Sequence, residues 1–403
     1  MKANRIIATI GLAILASGTI QAANTGKPFY GDPPDDRHPW AIHDRNRPQP
    51  PRVEPKPASE LAAKAKAPAG AVILFDGTEA ALAKWEADKK DVHEPTKWIV
   101  RDGAMECVPK SGYVRTKQEF GDCQLHVEWA APTPPQGESQ GRGNSGIFLM
   151  GTLEVQVLDN YDNPTYADGF ACSVYGINPP AANALRPPGE FQFIDIEYRR
   201  PIYENEKCVD PGYITVYCNG ILVQDHLAPD GTGGHMKRSK PGPMPEKGVL
   251  KLQDHGNPVR FRNIWIRELP PRTGVTPSHG PLSAEETAAK RKEIAATIRS
   301  DAAKLASPDN PLPELLRALE SLTYEKQDAV VKKATELTGK YLQKLSQLPK
   351  DQLAGKKEEV KDLGAAFKYL DKWNLIPAGY GPKADVDALI KAQGWQDVPK
   401  ANK

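Results

Sequence analysis

The sequence predicts a mainly β protein, an antiparallel β-sandwich followed by a C-terminal α-helical region. From residue 71 the chain consists of short runs rich in β-branched and aromatic residues, separated by turn signals such as Asn219-Gly220. Many short strands joined by hairpin turns favour an antiparallel sandwich over alternating strand–helix units. After residue 283 apolar residues recur every three or four positions, as in Leu337, Tyr341 and Leu345, which predicts amphipathic helices.

The first 23 residues have the pattern of a secretory signal peptide. Lys2 and Arg5 precede a mostly apolar run from Ile6 to Ile20, and small residues follow at the expected cleavage point. An uncleaved membrane anchor needs about 20 apolar residues, whereas this run is shorter and interrupted by glycine, serine and threonine. We therefore expect residues 1–23 to be removed and the mature protein to be periplasmic or secreted, with no membrane span.

A Pro-rich segment, residues 24–69, follows the signal peptide. Proline fixes backbone angles and removes hydrogen-bond donors, so this segment is predicted to be an extended linker or a strap lying along the next domain. It has no periodic apolar pattern, and this favours disorder. If the segment is a strap, Trp40 and His43 are the residues expected to anchor it.

The other domain boundaries follow from changes in composition. Residues 70–269 form the predicted sandwich, residues 270–282 a Pro-rich linker, and residues 283–403 the helical region. That region opens with the capping-box spacing of Ser283 and Glu286. It has few histidine or cysteine residues and no paired carboxylates, so we interpret it as an appendage without chemistry of its own.

Charge and cysteine content exclude several classes of partner and site. A formal net charge of +2 over 403 residues, with no basic stripe, argues against nucleic acid. No CxxC or Cys/His zinc spacing is present, and we expect neither a metal nor another cofactor. The five cysteines permit at most two disulfides in an oxidising compartment. Cys107 and Cys123, and likewise Cys208 and Cys218, lie on neighbouring strand candidates and can face each other; buried free thiols are an equal alternative.

Two strand candidates carry polar residues at alternate positions. In the run from Leu153 to Asp159, alternation places Glu154 and Gln156 on one face and the apolar residues on the other. In the run that begins at Leu250, Gln253 and His255 share a face in the same way. A sheet face with these groups suits a polyhydroxylated ligand, although a solvent-facing strand and a turn histidine are the structural alternatives.

Loops and a following strand supply further candidates. Arg142 and Asn144 lie in a glycine-rich segment, where a backbone can approach a ligand closely. Asp254 lies between the two candidates of the second run, and Arg262 lies on the strand after it. The loops 132–142, 160–189 and 228–245 are long, and long loops on a rigid sandwich are where ligands are usually bound.

Four sequence runs resemble one known family. NSGIFLMG, EVQVLDNYDN, NGILVQDH and LQDHGNPVRFRNIWIREL are similar to the 3-keto-disaccharide hydrolase domain family, whose fold resembles the concanavalin A-like jelly-roll sandwich of lectins and glucanases. The resemblance covers roughly residues 71–269 and implies a carbohydrate substrate, with the sugar cleft on the concave face that carries Glu154. One departure is Phe191-Gln192, where many relatives have tryptophan, so any indole hydrogen bond at that position is absent here.

The resemblance implies an exported enzyme that cleaves glycosides oxidised to a ketone at C3. A C3 ketone acidifies the C2 proton, so a base can remove it and expel the C1 substituent before water adds back; direct hydrolysis is the other route. Glu154 and His255 are the predicted acid and base, in either order. The remaining predicted roles are ketone polarisation by Arg262 or Arg142 and substrate binding by Asn144, Gln156, Tyr175, Gln253 and Asp254.

The alternative hypothesis is a non-catalytic carbohydrate-binding module with a helical partner-binding appendage. A binding module shows an aromatic platform with few titratable groups, whereas a catalytic cleft needs an acid and a base. Glu154 together with His255 therefore favours the enzyme. Asp195 and Glu197 resemble the alternating carboxylates of glucanases, but we interpret them as structural because the third carboxylate is missing. The sequence leaves the oligomeric state open.

Overall fold

The computed structural model describes residues 27–274, 278–280 and 282–396. The predicted signal peptide, residues 1–23, lies outside the described residues. The predicted fold class is confirmed, because antiparallel sheets occupy the region from residue 72 to residue 268 and helices follow from residue 284. In the described part of the chain, no helix is both long and apolar enough to cross a membrane.

Fifteen strands make up the described β-structure. In chain order they are β1 (Val72–Phe75), β2 (Trp85–Ala87), β3 (Ile99–Arg101), β4 (Ala104–Glu106), β5 (Val114–Phe120), β6 (Cys123–Ala130), β7 (Ser145–Leu149), β8 (Leu153–Val157), β9 (Gln192–Arg199), β10 (Ile202–Glu204), β11 (Lys207–Asp210), β12 (Tyr213–Cys218), β13 (Ile221–Leu227), β14 (Gly248–Leu252) and β15 (Arg260–Glu268). The larger sheet has the order β13-β12-β9-β6-β15-β4-β3, with β1 also paired to β15. The smaller sheet has the order β2-β5-β14-β7-β8, and β10 and β11 form a separate hairpin.

The two sheets enclose one hydrophobic core. From the smaller sheet, Val155 on β8 and Leu252 on β14 enter it, and from the larger sheet Val127 on β6 and Phe261 on β15 do so. Each of these side chains is at most 1% exposed. Because side chains alternate along a strand, this packing puts the polar residues of β8 on the opposite, outward face of the smaller sheet.

Eight helices lie in the described residues. They are α1 (Ala58–Lys64), α2 (Glu79–Leu82), α3 (Ala284–Lys304), α4 (Leu312–Ser321), α5 (Asp328–Ser346), α6 (Lys350–Ala354), α7 (Lys357–Lys372) and α8 (Gly381–Ala392). The predicted capping box opens α3, since the Ser283 and Glu286 side chains each bond the other residue's backbone N–H. Helices α4 to α8, together with the end of α3, surround a second apolar core that contains Leu337, Tyr341 and Leu345. We call α3 to α8 the helical bundle.

The Pro-rich segment is a strap rather than a disordered linker over residues 27–57. Its backbone bonds the sandwich at several points; for example, Val53 N donates to Asn183 O (3.0 Å) and Lys56 N to Asn219 O (3.1 Å). Trp40 packs on the small cluster formed by α3 and Tyr324. The strap is held by separate anchors of this kind instead of by an apolar periodicity, and this explains why its pattern suggested disorder.

All five cysteines are free thiols, so neither predicted pair is bridged. The pair that meets is a different one, because the thiols of Cys172 and Cys218 share a hydrogen bond inside the sandwich core. Cys208 is exposed on β11, whereas Cys218 is buried at the end of β12. The spacing along the chain therefore selected the wrong partners, since Cys172 comes from a long loop whose course the sequence does not reveal.

The strap is joined to the helical bundle by a buried carboxylate. Glu320 on α4 is 4% exposed. It accepts hydrogen bonds from Arg45 Nε (2.8 Å), Asn46 Nδ2 (3.0 Å) and Arg317 Nη1 (2.8 Å). The guanidinium groups of Arg45 and Arg317 hold the pKa of Glu320 below its ordinary value, although burial opposes this effect.

We expect Glu320→Ala to lower the free energy of unfolding by about 3 kcal/mol, because it leaves two guanidinium groups without their buried partner. The measurement is urea unfolding followed by circular dichroism. Glu325→Ala is the matched control, since Glu325 pairs with Arg299 (2.9 Å) at a more exposed position and should cost at most about 1 kcal/mol. Equal losses in the two variants would contradict the anchoring role of Glu320.

Candidate active site

Glu154 lies on the outward face of the smaller sheet, at the middle of β8. Phe148 and Gly146 of the neighbouring strand β7 pair with Glu154 and Gln156. A Cβ atom at Gly146 would come within 2.3 Å of Glu154 Oε1 and 2.8 Å of Phe148 Cε2. Glycine at this position therefore leaves the space that the carboxyl group of Glu154 occupies.

Glu154 is partly exposed, but its carboxyl group is largely desolvated and has no charged partner among the described residues. Within the described ranges, no ion pair or hydrogen bond to its oxygens is found, and burial raises its pKa to about 8. Neither a cation nor a second carboxylate contributes to this shift. A carboxyl group in such an environment is mostly protonated at pH 7 and can donate a proton to a ligand.

Aromatic side chains surround this carboxyl group. The ring of Tyr113 lies 5.9 Å from that of Phe148, measured between centroids. Burial raises the pKa of both Tyr113 and Tyr175, and the nearby charge of Glu154 raises each further. Both phenols therefore lie close to Glu154 and keep their protons at neutral pH. Tyr175 is thus brought to the site as predicted.

Three buried carboxamides next to Glu154 present their oxygens as free acceptors. Their nitrogens are used: Gln156 donates to Gln140 Oε1 (2.9 Å), Asn144 to Gln140 O (2.7 Å), and Gln253 to the Tyr113 hydroxyl (2.7 Å). The oxygens of Asn144, Gln156 and Gln253 are buried without a partner among the described residues. Sugar hydroxyls are donors that would satisfy such oxygens.

A cluster of histidines and tyrosines adjoins Tyr175. Its hydroxyl lies 3.3 Å from His235 Nδ1 and 3.4 Å from His43 Nε2, and the hydroxyl of Tyr30 lies 3.1 Å from His235 Nε2. Burial, followed by the nearby charges of His43 and His255, lowers the pKa of His235. The imidazole of His235 is therefore neutral at pH 7.

His255 and Asp254 lie at the rim of the site, in the bend after β14. His255 is exposed, and it makes a small contribution to the lowered pKa of His235. Asp254 accepts from Gly112 N (2.9 Å) and Gly256 N (2.8 Å), and these bonds lower its pKa although burial opposes them. Asp254 therefore holds the turn that presents His255, and its predicted contact with a substrate stays a prediction.

The two arginines predicted to polarise a ketone are engaged elsewhere. Arg142 donates to both oxygens of the buried Asp159, at 2.8 and 3.1 Å, so its guanidinium is a structural clamp. Arg262 lies on β15 in the larger sheet, where it bonds Glu128 (2.7 Å) and covers the Phe191 ring at 3.7 Å. The whole core separates it from Glu154, since β14 and β15 follow each other in sequence but belong to different sheets.

Asp195 and Glu197 also lie on the outward face of the larger sheet. Asp195 Oδ1 lies 2.7 Å from His126 Nδ1, and Glu197 accepts from the hydroxyl of Tyr213. The hydrogen bond to Asp195 and the nearby carboxylate of Glu128, 3.6 Å from Nε2, raise the pKa of His126 to about 8, although burial opposes this. These carboxylates are therefore part of a separate network, away from the Glu154 site.

Several residues of the site were not found from the sequence. Gln140, Asp168 and His235 come from the three long loops, whose length was the only signal, and His43 comes from the strap, where it was considered only as an anchor. Neither Tyr113 nor Phe148 was predicted from the sequence as a residue of the site. In the described part of the chain, no group of three or more histidine, cysteine or carboxylate side chains is arranged to hold a metal.

Comparisons with known proteins concern the sandwich. The sequence profile of the 3-keto-alpha-glucoside-1,2-lyase-like domain matches residues 70–267, which are the residues that carry the resemblance. A curated 3-keto-disaccharide hydrolase of Bacteroides thetaiotaomicron is 24% identical over 239 residues, which cover 50% of this chain and 79% of that protein.

Two solved structures come from Parabacteroides distasonis, and both are of candidate glycosyl hydrolases. One is 42% identical and covers 55% of this chain and 93% of that one, with a TM-score of 0.48. The other is 19% identical and covers 54% of this chain and 100% of that one, with a TM-score of 0.36.

Glu154→Gln should remove the loss of folding stability that wild type undergoes as the pH rises. A carboxyl group titrates near pH 4.3 in an unfolded chain and at about 8 in this site. The stability that comes from holding the proton is fully present below pH ~4.3 and is lost as the pH rises to 8. Relative to wild type, the variant should therefore gain roughly 1.4 kcal/mol per pH unit across this interval.

Urea unfolding at pH 4.5 and pH 8 measures this difference. The control is Glu119→Gln, which changes an exposed carboxylate on β5 and should give the same stability difference at both values. If Glu154→Gln also gave a pH-independent difference, the raised pKa of Glu154 would be wrong.

Proposed function

Since residues 70–267 belong to the 3-keto-alpha-glucoside-1,2-lyase-like domain family, we propose that this protein cleaves glycosides whose sugar carries a ketone at C3. The observation that carries the proposal is the protonated carboxyl group of Glu154, which lies beside three carboxamide oxygens without partners. This arrangement supports both hydroxyl binding and proton transfer to a leaving group.

The proposed reaction is an elimination followed by hydration. A base removes the proton at C2, and the electron pair of that bond moves to the C3 carbonyl and forms an enolate. The enolate then expels the C1 oxygen, which takes a proton from the acid, and a C1–C2 double bond remains. Water adds across this bond, so that the overall change is hydrolysis of the glycoside.

Glu154 is the proposed acid. Its pKa of about 8 makes it mostly protonated at pH 7, and a catalytic acid is most effective when its pKa lies near the working pH. Direct hydrolysis by two carboxylates has less support, because a retaining enzyme needs a second carboxylate about 5 Å away. No neighbouring carboxylate contributes to the pKa of Glu154.

His255 is the proposed base. It is exposed at the rim, and among the described residues its side chain makes no structural hydrogen bond of the kind that holds Asp254 and Arg142. The acid acts on the C1 oxygen and the base on the C2 proton. The two groups therefore approach different positions of the sugar and need not contact each other.

Tyr113 is the proposed donor to the enolate oxygen, in place of the arginines considered first. Its oxygen accepts from Gln253 Nε2, so its own proton is free for a ligand, and the raised pKa keeps that proton in place. Donors fixed at a developing negative charge stabilise the transition state strongly. The carboxamide oxygens of Asn144, Gln156 and Gln253 bind hydroxyl groups of the sugar.

The proposal includes export of the protein from the cytoplasm. The basic start, apolar run and small-residue cleavage point of the first 23 residues support secretion into a periplasm or out of the cell. A non-catalytic binding module remains the competing function. It would not need a carboxyl group whose pKa is shifted to neutrality, and this favours the enzyme.

We expect the purified protein without residues 1–23 to release the aglycone from a 3-keto glucoside and to leave the unoxidised parent almost untouched. The reason is that only the ketone makes the C2 proton acidic. The measurement is chromatographic detection of the aglycone and of the unsaturated intermediate. Equal turnover of both substrates would favour direct hydrolysis, and binding without turnover would favour the binding module.

Glu154→Gln and His255→Ala should each lower kcat by roughly a hundredfold or more, as is usual for a lost acid or base. The wild-type rate should also fall as the pH rises above about 8, where Glu154 loses its proton. Arg262→Ala is the control, since Arg262 lies on the other sheet and should leave kcat within about twofold. A larger loss in this control would contradict the assignment of the site to the smaller sheet.

A further inference from the structure

His43 lies in the strap, outside residues 70–267, yet it is only 1% exposed and adjoins the Glu154 site. We propose that His43 is a positioning residue, which holds the phenol of Tyr175 beside Glu154, and that the helical bundle fixes His43 by gripping the strap. The inference rests on the proposed function, because it assigns to two regions outside the family domain a part in the same site.

Asp168 orients the imidazole of His43. The carboxylate accepts from His43 N (3.0 Å) and lies 3.2 Å from His43 Nδ1, and both residues are buried. The hydrogen bonds from His43 keep the pKa of Asp168 low against the effect of burial, so Asp168 is an acceptor only. Nδ1 of His43 therefore carries the proton, and Nε2 is left as an acceptor.

The free nitrogen of His43 faces donors. The hydroxyl of Tyr175 lies 3.4 Å from Nε2, and Met236 N donates to the same atom at 3.5 Å. The ring of His43 stacks on that of Tyr166 at 3.9 Å between centroids, and the hydroxyl of Tyr166 bonds that of Tyr175 (2.8 Å). His43 thus fixes Tyr175 both directly and through Tyr166.

Tyr175 connects His43 to Glu154. The two residues are adjacent, because Tyr175 N donates a hydrogen bond to Glu154 O (3.1 Å). Burial is the cause of the raised pKa of Glu154, and in the proposed arrangement the phenol contributes to this burial by keeping water away from the carboxyl group. If Tyr175 moved away, Glu154 would be hydrated and its pKa would fall towards the ordinary value.

The helical bundle holds the strap on both sides of His43. After it, Asp44 accepts from the hydroxyl of Tyr324, and Arg45 and Asn46 bond Glu320. Before it, Gly31 O accepts from the hydroxyl of Tyr369 on α7 (2.7 Å). Tyr175 and Asp168 therefore belong to the sandwich, whereas the position of His43 between them depends on the bundle.

The test is a double-mutant cycle in the full chain. His43→Phe keeps a ring against Tyr166 and removes both nitrogens, and Tyr175→Phe removes the hydroxyl that they hold. We expect each variant to lower kcat about tenfold with little change in KM, and the double variant to be no slower than either one. His43→Gln, which restores an acceptor towards Tyr175, should recover part of the rate.

His38→Phe is the matched control. His38 is another strap histidine bound to carboxylates, with Asp35 and Asp230 both at 2.7 Å, but it does not contact Tyr175. It should leave kcat within about twofold. Independent, multiplying losses from His43→Phe and Tyr175→Phe would show a merely structural role for His43 and would overturn the inference.

A second measurement does not need turnover. The carboxyl band of isotope-labelled Glu154 can be titrated by infrared spectroscopy, with an expected midpoint of about 8 in wild type and in His38→Phe. His43→Phe and Glu320→Ala should both lower this midpoint. If 3-keto glycosides are not cleaved, the proposed function fails while this titration still decides the inference; an unchanged midpoint in both variants would overturn it.

Discussion

The burial of one carboxyl group, that of Glu154, is the constraint on which the rest of the site depends. β8 must alternate so that Val155 enters the core while Glu154 faces outward, and β7 must have glycine at position 146, diagonally across from Glu154, to leave room for the carboxyl oxygens. Aromatic side chains then cover the group without offering it a charge. Desolvation alone raises its pKa to about 8, so the group is mostly protonated at neutral pH.

The strap and the helical bundle change how the family domain should be understood in this chain. Residues 70–267 supply Glu154, the carboxamides and both phenols, but the wall behind Tyr175 is completed by His43 and Tyr30 of the strap. The strap in turn is bound to α4 and α7 by hydrogen bonds that include the buried Glu320. The helices of the bundle are thereby connected to the Glu154 site through their polar contacts with the strap.

The sequence was informative where a local pattern has one structural meaning. Alternation on β8 placed Glu154 and Gln156 correctly, and hairpin turns and helical periodicity predicted the two kinds of architecture. It was uninformative where position depends on distant pairing. Arg262 was put beside Glu154 because β15 follows β14 in sequence, yet the chain crosses to the other sheet between them. His43 and His235 reach the site from a strap and a loop, and no periodic pattern describes either segment.

The strap also sets the order in which the protein can be completed during synthesis. Arg45 and Glu320 are 275 residues apart, and Gly31 and Tyr369 are 338 apart, so the strap emerges from the ribosome long before its partners in the bundle. Domains generally fold as units as they emerge, and the sandwich can form first. A nascent chain would therefore carry Glu154 on a folded sheet while the wall behind Tyr175 is still loose, and that wall would be complete only after the last helices have been made.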